Sequence, residues 1–417
     1  MRFLILTQYY PPEIGAAQAR LSAFAGQLVR AGHEVEVVTA LPNYPTGRLD
    51  EADRRLLGRR EVLDGIPVRR SWLLTATGVG ARRLASYLSF AATGLVSALV
   101  AGRPDVVFVE SPPLFLGVSG WMAARRAGAA FVLNVSDLWP DSVRDLGVLG
   151  DGPALRAAER LERWLYARAT AVTAVTEGIR ETLVERKGVP ERKALFLPNG
   201  VDLQQFRPTE PDPAVRARHG LPPDGPLVLF TGNHGYAQAL ETVIAAAALA
   251  PEVTVVLVGA GSDKARIQAL AEERGTTNVR FLAPVPQAEI APLYGHAVAG
   301  LATLRNSALM EGARPAKALA VMGCGRPVIY SGAGEGAALV RAAEAGLVVP
   351  PEDPRALAAA IRRLVQDPEE AARMGANGRR YVESHLSWPA LTDAWLTDLK
   401  RVLGQDPSTV DAPHHAS

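Results

Sequence analysis

The feature that most constrains this chain is a repeated alternation of short, unbroken apolar runs with longer helical stretches. RFLIL, HEVEVVTA, PDVVFVES, FVLNVSD, AVTAVT and KALFLPNG mark the first half. PLVLFTGN, VTVVLVGAG, VRFLAPV, AVAGLATL, RPVIYSG and GLVVPPED repeat the pattern in the second. A strand that is apolar at every position has both faces covered, as in a parallel sheet between helical layers. Strands spaced by helices, such as those predicted at 17–31 and from Gln238 to Leu249, give doubly wound α/β domains.

Two such series on 417 residues imply two domains. The Pro-, Asp- and Gly-rich stretch NGVDLQQFRPTEPDPAVRARHGLPPDGP reads as a linker, which puts the domains at 1–205 and 206–386. The amphipathic segment WPALTDAWLTDLKRVL, within 387–403, is expected to pack back onto the first domain, and 404–417 reads as a disordered tail. Two tandem Rossmann-like domains imply a central cleft, with ligands at the carboxyl ends of the strands.

A net charge of +2 gives no reason to expect a nucleic-acid partner. The single Cys324 excludes an internal disulfide and suits a reducing cytoplasm. With one cysteine and seven scattered histidines, no metal site of the usual zinc kind is expected. MRFLILTQYYPP has too short an apolar run for a secretory signal and reads as a buried first strand.

From Leu84 to Ala101 there is no charge, and Arg82, Arg83 and Arg103 flank the stretch. Ser86, Ser89, Thr93 and Ser97 recur at helical spacing, so one face is small and polar. A buried helix of the first domain is favoured over a membrane span. An intermediate expectation is a helix lying on the inner surface of the cell membrane, helped by Arg54, Arg55, Arg59, Arg60, Arg69 and Arg70.

Residues 311–329, EGARPAKALAVMGCGRPVI, place Pro315 where a helix would start. Arg314 and Lys317 then flank the positive end of a helix dipole, which predicts an anion there. No Asp-x-Asp pair occurs in the chain, so a bound diphosphate would be neutralised by cations and helix ends rather than by a carboxylate-held metal. In YYPPEIGAAQAR, Gly15 lets the backbone approach a ligand just before a helix. VGAGSDK lacks the third glycine of a dinucleotide fingerprint and reads as a close-packed turn. Asn134, Asp137, Trp139 and Asp141 in LNVSDLWPDS follow a buried strand and form either a binding cluster or a cap with a packed Trp. His33 reads as a turn residue.

Taken together, YYPPEIGAAQARLSAFAGQLVRAGHEVEVVTA, VESPPLFLG, NVSDLWPDS, LPNGVDLQQFRP, YAQALETV and GLVVPPEDPRALAAAI resemble the retaining glycosyltransferases of family 4, which have the two-domain GT-B fold. The details look closest to the bacterial branch that includes fucosamine transferases of capsule and O-antigen assembly. The resemblance implies a nucleotide-sugar donor on the C-terminal domain and a glycan, lipid-linked or small-molecule acceptor on the N-terminal one. It implies no further cofactor. The departing diphosphate would take the acceptor proton, so no dedicated protein base is needed.

Carried over by position, Gly15 and Ala16 match the loop that approaches the donor phosphates. Asp137 matches the acidic half of a His-Asp-like catalytic element whose His position is Ser136. Asn233 and Gln238, flanking His234, stand where the family usually has Arg and Lys. That leaves Arg314 and Lys317 as the positive partners of the diphosphate, with Lys317 in the catalytic role. Glu311 and Glu335 are further donor-binding candidates, and Asn134, Trp139 and Asp141 are acceptor-binding candidates. The ribose-holding glutamate of the family falls at Ala320, a loss of charge-assisted hydrogen bonding worth roughly 1.5–3 kcal/mol. The expected function is metal-independent, retaining sugar transfer; the alternative, motivated by Ala320, is a non-catalytic nucleotide- or sugar-binding protein.

Overall fold

The structure, a computed structural model, describes residues 1–13, 15–44, 46–76, 80–145 and 152–405. The chain divides into two compact units, Met1–Pro198 with the segment from Leu391 onward, and Asn199–Ala390. The tail expected at 404–417 lies, from 406 on, outside the described residues.

In the first unit the strands are β1 (Arg2–Leu6), β2 (Glu34–Ala40), β3 (Gly58–Leu63), β4 (Ile66–Ser71), β5 (Val106–Ser111), β6 (Ala130–Val135), β7 (Ala171–Ala174) and β8 (Ala194–Phe196). Their order among the described residues is β3-β4-β2-β1-β5-β6-β7-β8, parallel except for the β3–β4 hairpin. The order reverses at β1, and the loop that leaves it leads into α1 (Ala16–Arg30). Helices α2 (Ala81–Leu99) and α3 (Phe115–Ala127) flank β5 in sequence and pack on each other.

The hairpin is absent from the sequence-based expectation, although Asp64-Gly65 is a strong signal for it. Both residues have positive φ, 50° and 79°, as a two-residue turn between twisted strands requires. Three of its four arginines are engaged inside the unit: Arg59 pairs with Asp53 at 2.7 Å, Arg69 with Glu36, and buried Arg70 with Glu61. Arg59, Arg69 and Arg70 are thus committed to ion pairs within the unit, while Arg54, Arg55 and Arg60 are exposed. No helix among the described residues is long and apolar enough to cross a membrane.

The helix Trp388–Val402 closes the first unit through Trp395. Its fully buried indole meets Phe24 edge-on at 5.0 Å and Phe108 at 5.6 Å, and its Nε1 donates to Thr173 Oγ1 at 3.0 Å. An aromatic of this size set among aromatic edges supplies both buried area and orientation.

The second unit carries β9 (Leu227–Thr231), β10 (Thr254–Val258), β11 (Val279–Leu282), β12 (Ala297–Thr303), β13 (Val328–Ser331) and β14 (Gly346–Val349). The order β11-β10-β9-β12-β13-β14 is parallel throughout. The stretch expected as a linker is built into this unit. Val201 N donates to Leu386 O, Thr209 Oγ1 donates to Ala291 O, Arg379 donates to Phe206 O, and Asp212 caps the helix Pro213–Arg218. The expected 205/206 boundary thus lies within the second unit.

Candidate functional site

At the carboxyl end of β9 the chain turns through Gly232, Asn233, His234 and Gly235 into the single 3-10 turn Tyr236–Gln238. Close approach explains the glycines here and in VGAGSDK. A Cβ on Gly259 (φ 145°) would sit 1.9 Å from Gly232 O, and one on Gly261 2.3 Å from His234 O. The close-packed turn read from the sequence is what the structure contains. It presses the β10 loop against the β9 loop and fixes both.

Pro315 lies one position earlier than expected: it is the N-cap of the helix Ala316–Gly323, with ψ 120°, rather than its first residue. Lys317 is in the first turn. Its Nζ donates to Gln238 Oε1 and stands 4.5 Å from the centroid of the Phe230 ring. Among the described residues no carboxylate lies within ion-pair distance of it, and burial pushes its pKa down to about 7. His234 is fully buried beside the same ring at 5.8 Å, and neither ring nitrogen has a hydrogen-bond partner. Desolvation, together with the positive charges of Lys264 and Lys317, holds its pKa below the usual range.

Residues that the sequence reading did not single out hold this turn. Thr303 Oγ1 donates to Gln238 O at 2.6 Å, and Arg305 N donates to Ala237 O. The Arg305 guanidinium lies over the Tyr236 ring at 3.8 Å and pairs with Glu241 and Glu352. Lys264 Nζ donates to Gly259 O and Leu282 O. A cation following β12 was the available signal, but only the fold brings it to the β9 turn.

The remaining donor-side candidates sit around this core. Asn233 is exposed and its carboxamide covers Gly261. Glu311 is exposed, its carbonyl so close to Gly334 that a Cβ there would meet it at 1.8 Å. Glu335, in the first turn of the helix Gly334–Ala342, and Arg314 are half-buried. Ala320 is buried on its helix.

In the first unit, Gly15 is the N-cap of α1 with extended backbone and Ala16 is its first residue. Asn134 is interior. Register aligns Glu110, Asn134 and Thr173 in one row across the sheet. Asn134 Nδ2 donates to Glu110 Oε2, whose other oxygen pairs with Arg20 at 2.6 Å. Asp141 pairs with Lys187 at 2.8 Å, which also holds buried Glu162. Trp139 packs edge-on against Phe115 at 5.7 Å. Asn134, Trp139 and Asp141 thus each have an internal partner. Asp137 is half-buried and accepts from Ser142 Oγ at 2.8 Å. His33 is a turn residue, its Nδ1 3.1 Å from the N-terminal ammonium.

Of the candidates, the structure thus gathers His234, Gln238 and Lys317 at one place. The arrangement offers a cation, an amide and free backbone at a helix start, a combination that binds and neutralises an anion.

Comparison with known proteins agrees with the two-unit organisation. Residues 15–200 match the glycosyl transferase 4-like domain and residues 212–381 the glycosyl transferases group 1. A putative colanic acid biosynthesis glycosyl transferase, WcaI of Escherichia coli K12, is 28% identical over 67% of this chain and 71% of its own. A D-inositol 3-phosphate glycosyltransferase of Streptomyces bingchenggensis is 30% identical over 78% and 73%. The structure of Anabaena Alr3699/HepE in complex with UDP and glucose superposes with TM-score 0.69 at 19% identity, over 96% of this chain and 100% of that one. The chain belongs to the GT-B glycosyltransferases that join a glycosyl transferase 4-like domain to a group 1 domain.

Proposed function

We propose that this protein is a retaining, metal-independent transferase moving a hexose or aminosugar from a nucleoside-diphosphate donor to a glycan, lipid-linked or small-molecule hydroxyl. The observation that carries the reading is Lys317, a largely desolvated lysine that faces an amide and a ring rather than a carboxylate. A desolvated cation without a counter-ion is costly, and an incoming diphosphate removes that cost. The complex of Alr3699/HepE with UDP and glucose supports a nucleotide-sugar donor.

In this reading Lys317 neutralises charge developing on the leaving diphosphate, and Gln238 holds the ammonium in place. Arg314, Asn233, His234, Glu311 and Glu335 complete the donor side. The diphosphate accepts the acceptor proton, and Asp137 orients the acceptor. The protein acts in the cytoplasm, at the inner face of the membrane when the acceptor is lipid-linked.

Incubation with a panel of nucleotide sugars and acceptors tests the proposal. Release of nucleoside diphosphate, with the product's anomeric coupling matching the donor's, is the expected result. Ala320 favours one second reading, a non-catalytic nucleotide-binding protein. Tight binding without turnover across the panel is the outcome that selects it.

A further inference from the structure

Helix α2 is built with its polar side inward. Thr93 Oγ1 donates to Trp72 O at 2.6 Å, Ser97 Oγ accepts from Ser71 Oγ at 2.8 Å, and Ser89 Oγ accepts from Leu74 N at 2.9 Å. The small polar stripe seen in the sequence therefore meets the protein. The outward line is aliphatic: Leu84, Leu88, Val96 and Leu99 are 41%, 47%, 64% and 43% exposed, with exposed Ala92 between them. Steps of three and four keep these residues on one face. Helix α3, tied to α2 by Ser119 Oγ donating to Ala91 O at 2.7 Å, adds exposed Met122. A helix on the surface of a water-soluble domain normally turns its apolar stripe inward, so an outward one marks an interaction surface.

The charge of the same layer selects the occupant. No Asp or Glu occurs in 65–104 or in 111–136. The two acids between these stretches are engaged: Asp105 accepts from Arg2 N, and buried Glu110 pairs with Arg20. Exposed cations frame the aliphatic line, Arg82 at the start of α2 and Arg103 beyond its end, with Arg125 and Arg126 in the last turn of α3. Because α2 and α3 lead into the adjacent parallel strands β5 and β6, their last turns emerge at the same end of the sheet, beside the amino ends of these strands. That groups Arg103 with Arg125 and Arg126.

We propose that the α2–α3 face docks on an anionic lipid surface. The aliphatic line enters the boundary between headgroups and acyl chains, and the four arginines meet lipid phosphates. A second copy of this chain, docked face to face, would set these arginines against their own duplicates. The docking rests on the transferase reading only for its purpose, access to a lipid-linked acceptor; the contact itself is independent of the reaction.

The test is co-sedimentation of the full chain with vesicles of phosphatidylcholine, with and without phosphatidylglycerol. Binding is expected only to the anionic vesicles and to fall as salt rises. The doubly substituted Leu88→Glu, Val96→Glu protein, and separately Arg103→Gln with Arg125→Gln and Arg126→Gln, should each partition about tenfold less or weaker still. Both sets are exposed, so thermal unfolding and nucleoside-diphosphate affinity should be unchanged. Absence of wild-type binding, equal binding to both vesicles, or undiminished binding of the variants overturns the proposal. So does a concentration-dependent dimer that the Glu substitutions dissolve, which would make a second copy the occupant. Nucleoside-diphosphate affinity, read on the same samples, keeps a failure here distinct from failure of the transferase reading.

Discussion

Lys317 Nζ donates to the side-chain oxygen of Gln238, so a cation from one segment of the second unit is held by a neutral amide from another. Gln238 is itself fixed through its backbone by Thr303 and through the neighbouring Ala237 by Arg305. An amide orients the ammonium without neutralising it. Burial then pushes the lysine pKa down to about 7. The site is electrostatically incomplete, which is the basis of the proposal that it takes an anion.

Replacing Lys317 with Met should abolish most nucleoside-diphosphate binding while stabilising the free protein by roughly 1–3 kcal/mol at neutral pH. The sign follows from linkage. An unfolded lysine keeps its proton to its ordinary pKa of 10.5, whereas folded Lys317 releases it near 7. Between these values the unfolded state holds more protons, so this residue's destabilising effect is full below pH 7 and fades as pH rises. Denaturant titrations from pH 6 to pH 10 should show that slope in the wild type and lose it in Lys317→Met. Calorimetry near pH 8 in buffers of different ionisation enthalpy should show proton uptake on diphosphate binding by the wild type alone.

Gln238→Glu places a carboxylate at the ammonium with little change of shape. The internal ion pair should raise the lysine pKa and occupy the charge meant for the ligand. Nucleoside-diphosphate affinity is expected to fall about tenfold or more, while thermal stability is kept or raised. Unchanged affinity would remove the Lys317–Gln238 pair from the donor site.

The parallel sheets were legible because buried parallel strands leave continuous apolar runs, and β9 to β14 each correspond to one such run. The β3–β4 hairpin was not read, because its charged, half-exposed strands carry no such run and its signal is confined to Asp64-Gly65. Lys317 was legible from its place at a helix start. Its partner Gln238 was visible only as a departure from a family pattern, since nothing local links positions so far apart in sequence. Asn134 and Asp141 are ligand candidates in the sequence because polar residues after a strand often are, with an internal role as the alternative. Whether a polar side chain faces a substrate or an internal ion such as buried Glu110 or half-buried Lys187 depends on contacts that a sequence does not display. The small polar stripe of α2 is visible in the sequence, but the way it turns is not, because hydrogen bonds at Ser89, Thr93 and Ser97 decide which side faces inward.

Trp395→Ala should destabilise the first unit by about 3–5 kcal/mol, since it empties a site among Phe3, Phe24 and Phe108 and strands Thr173 Oγ1. Limited proteolysis should then cut the first unit at a denaturant concentration where the wild type resists. Nucleoside-diphosphate affinity, which the proposal rests on Lys317 and Gln238 of the second unit, should be retained below that concentration.

Ala320→Glu tests whether the missing carboxylate limits donor binding. The position is buried on the helix that carries Lys317, three residues further along, so the two side chains are neighbours on one face. A glutamate there must be desolvated or must displace packing, and the unfolding midpoint should fall. If the ribose of the donor lies against this face, its hydroxyls satisfy the new carboxylate. Affinity should then rise about tenfold, the scale of one charge-assisted hydrogen-bonding pair. The two effects separate on one sample: the free protein melts earlier, and a saturating nucleoside diphosphate gives a larger thermal shift than in the wild type. A lower midpoint with no gain in the ligand-induced shift would place the ribose away from Ala320. The lost glutamate would then have no bearing on donor binding in this chain.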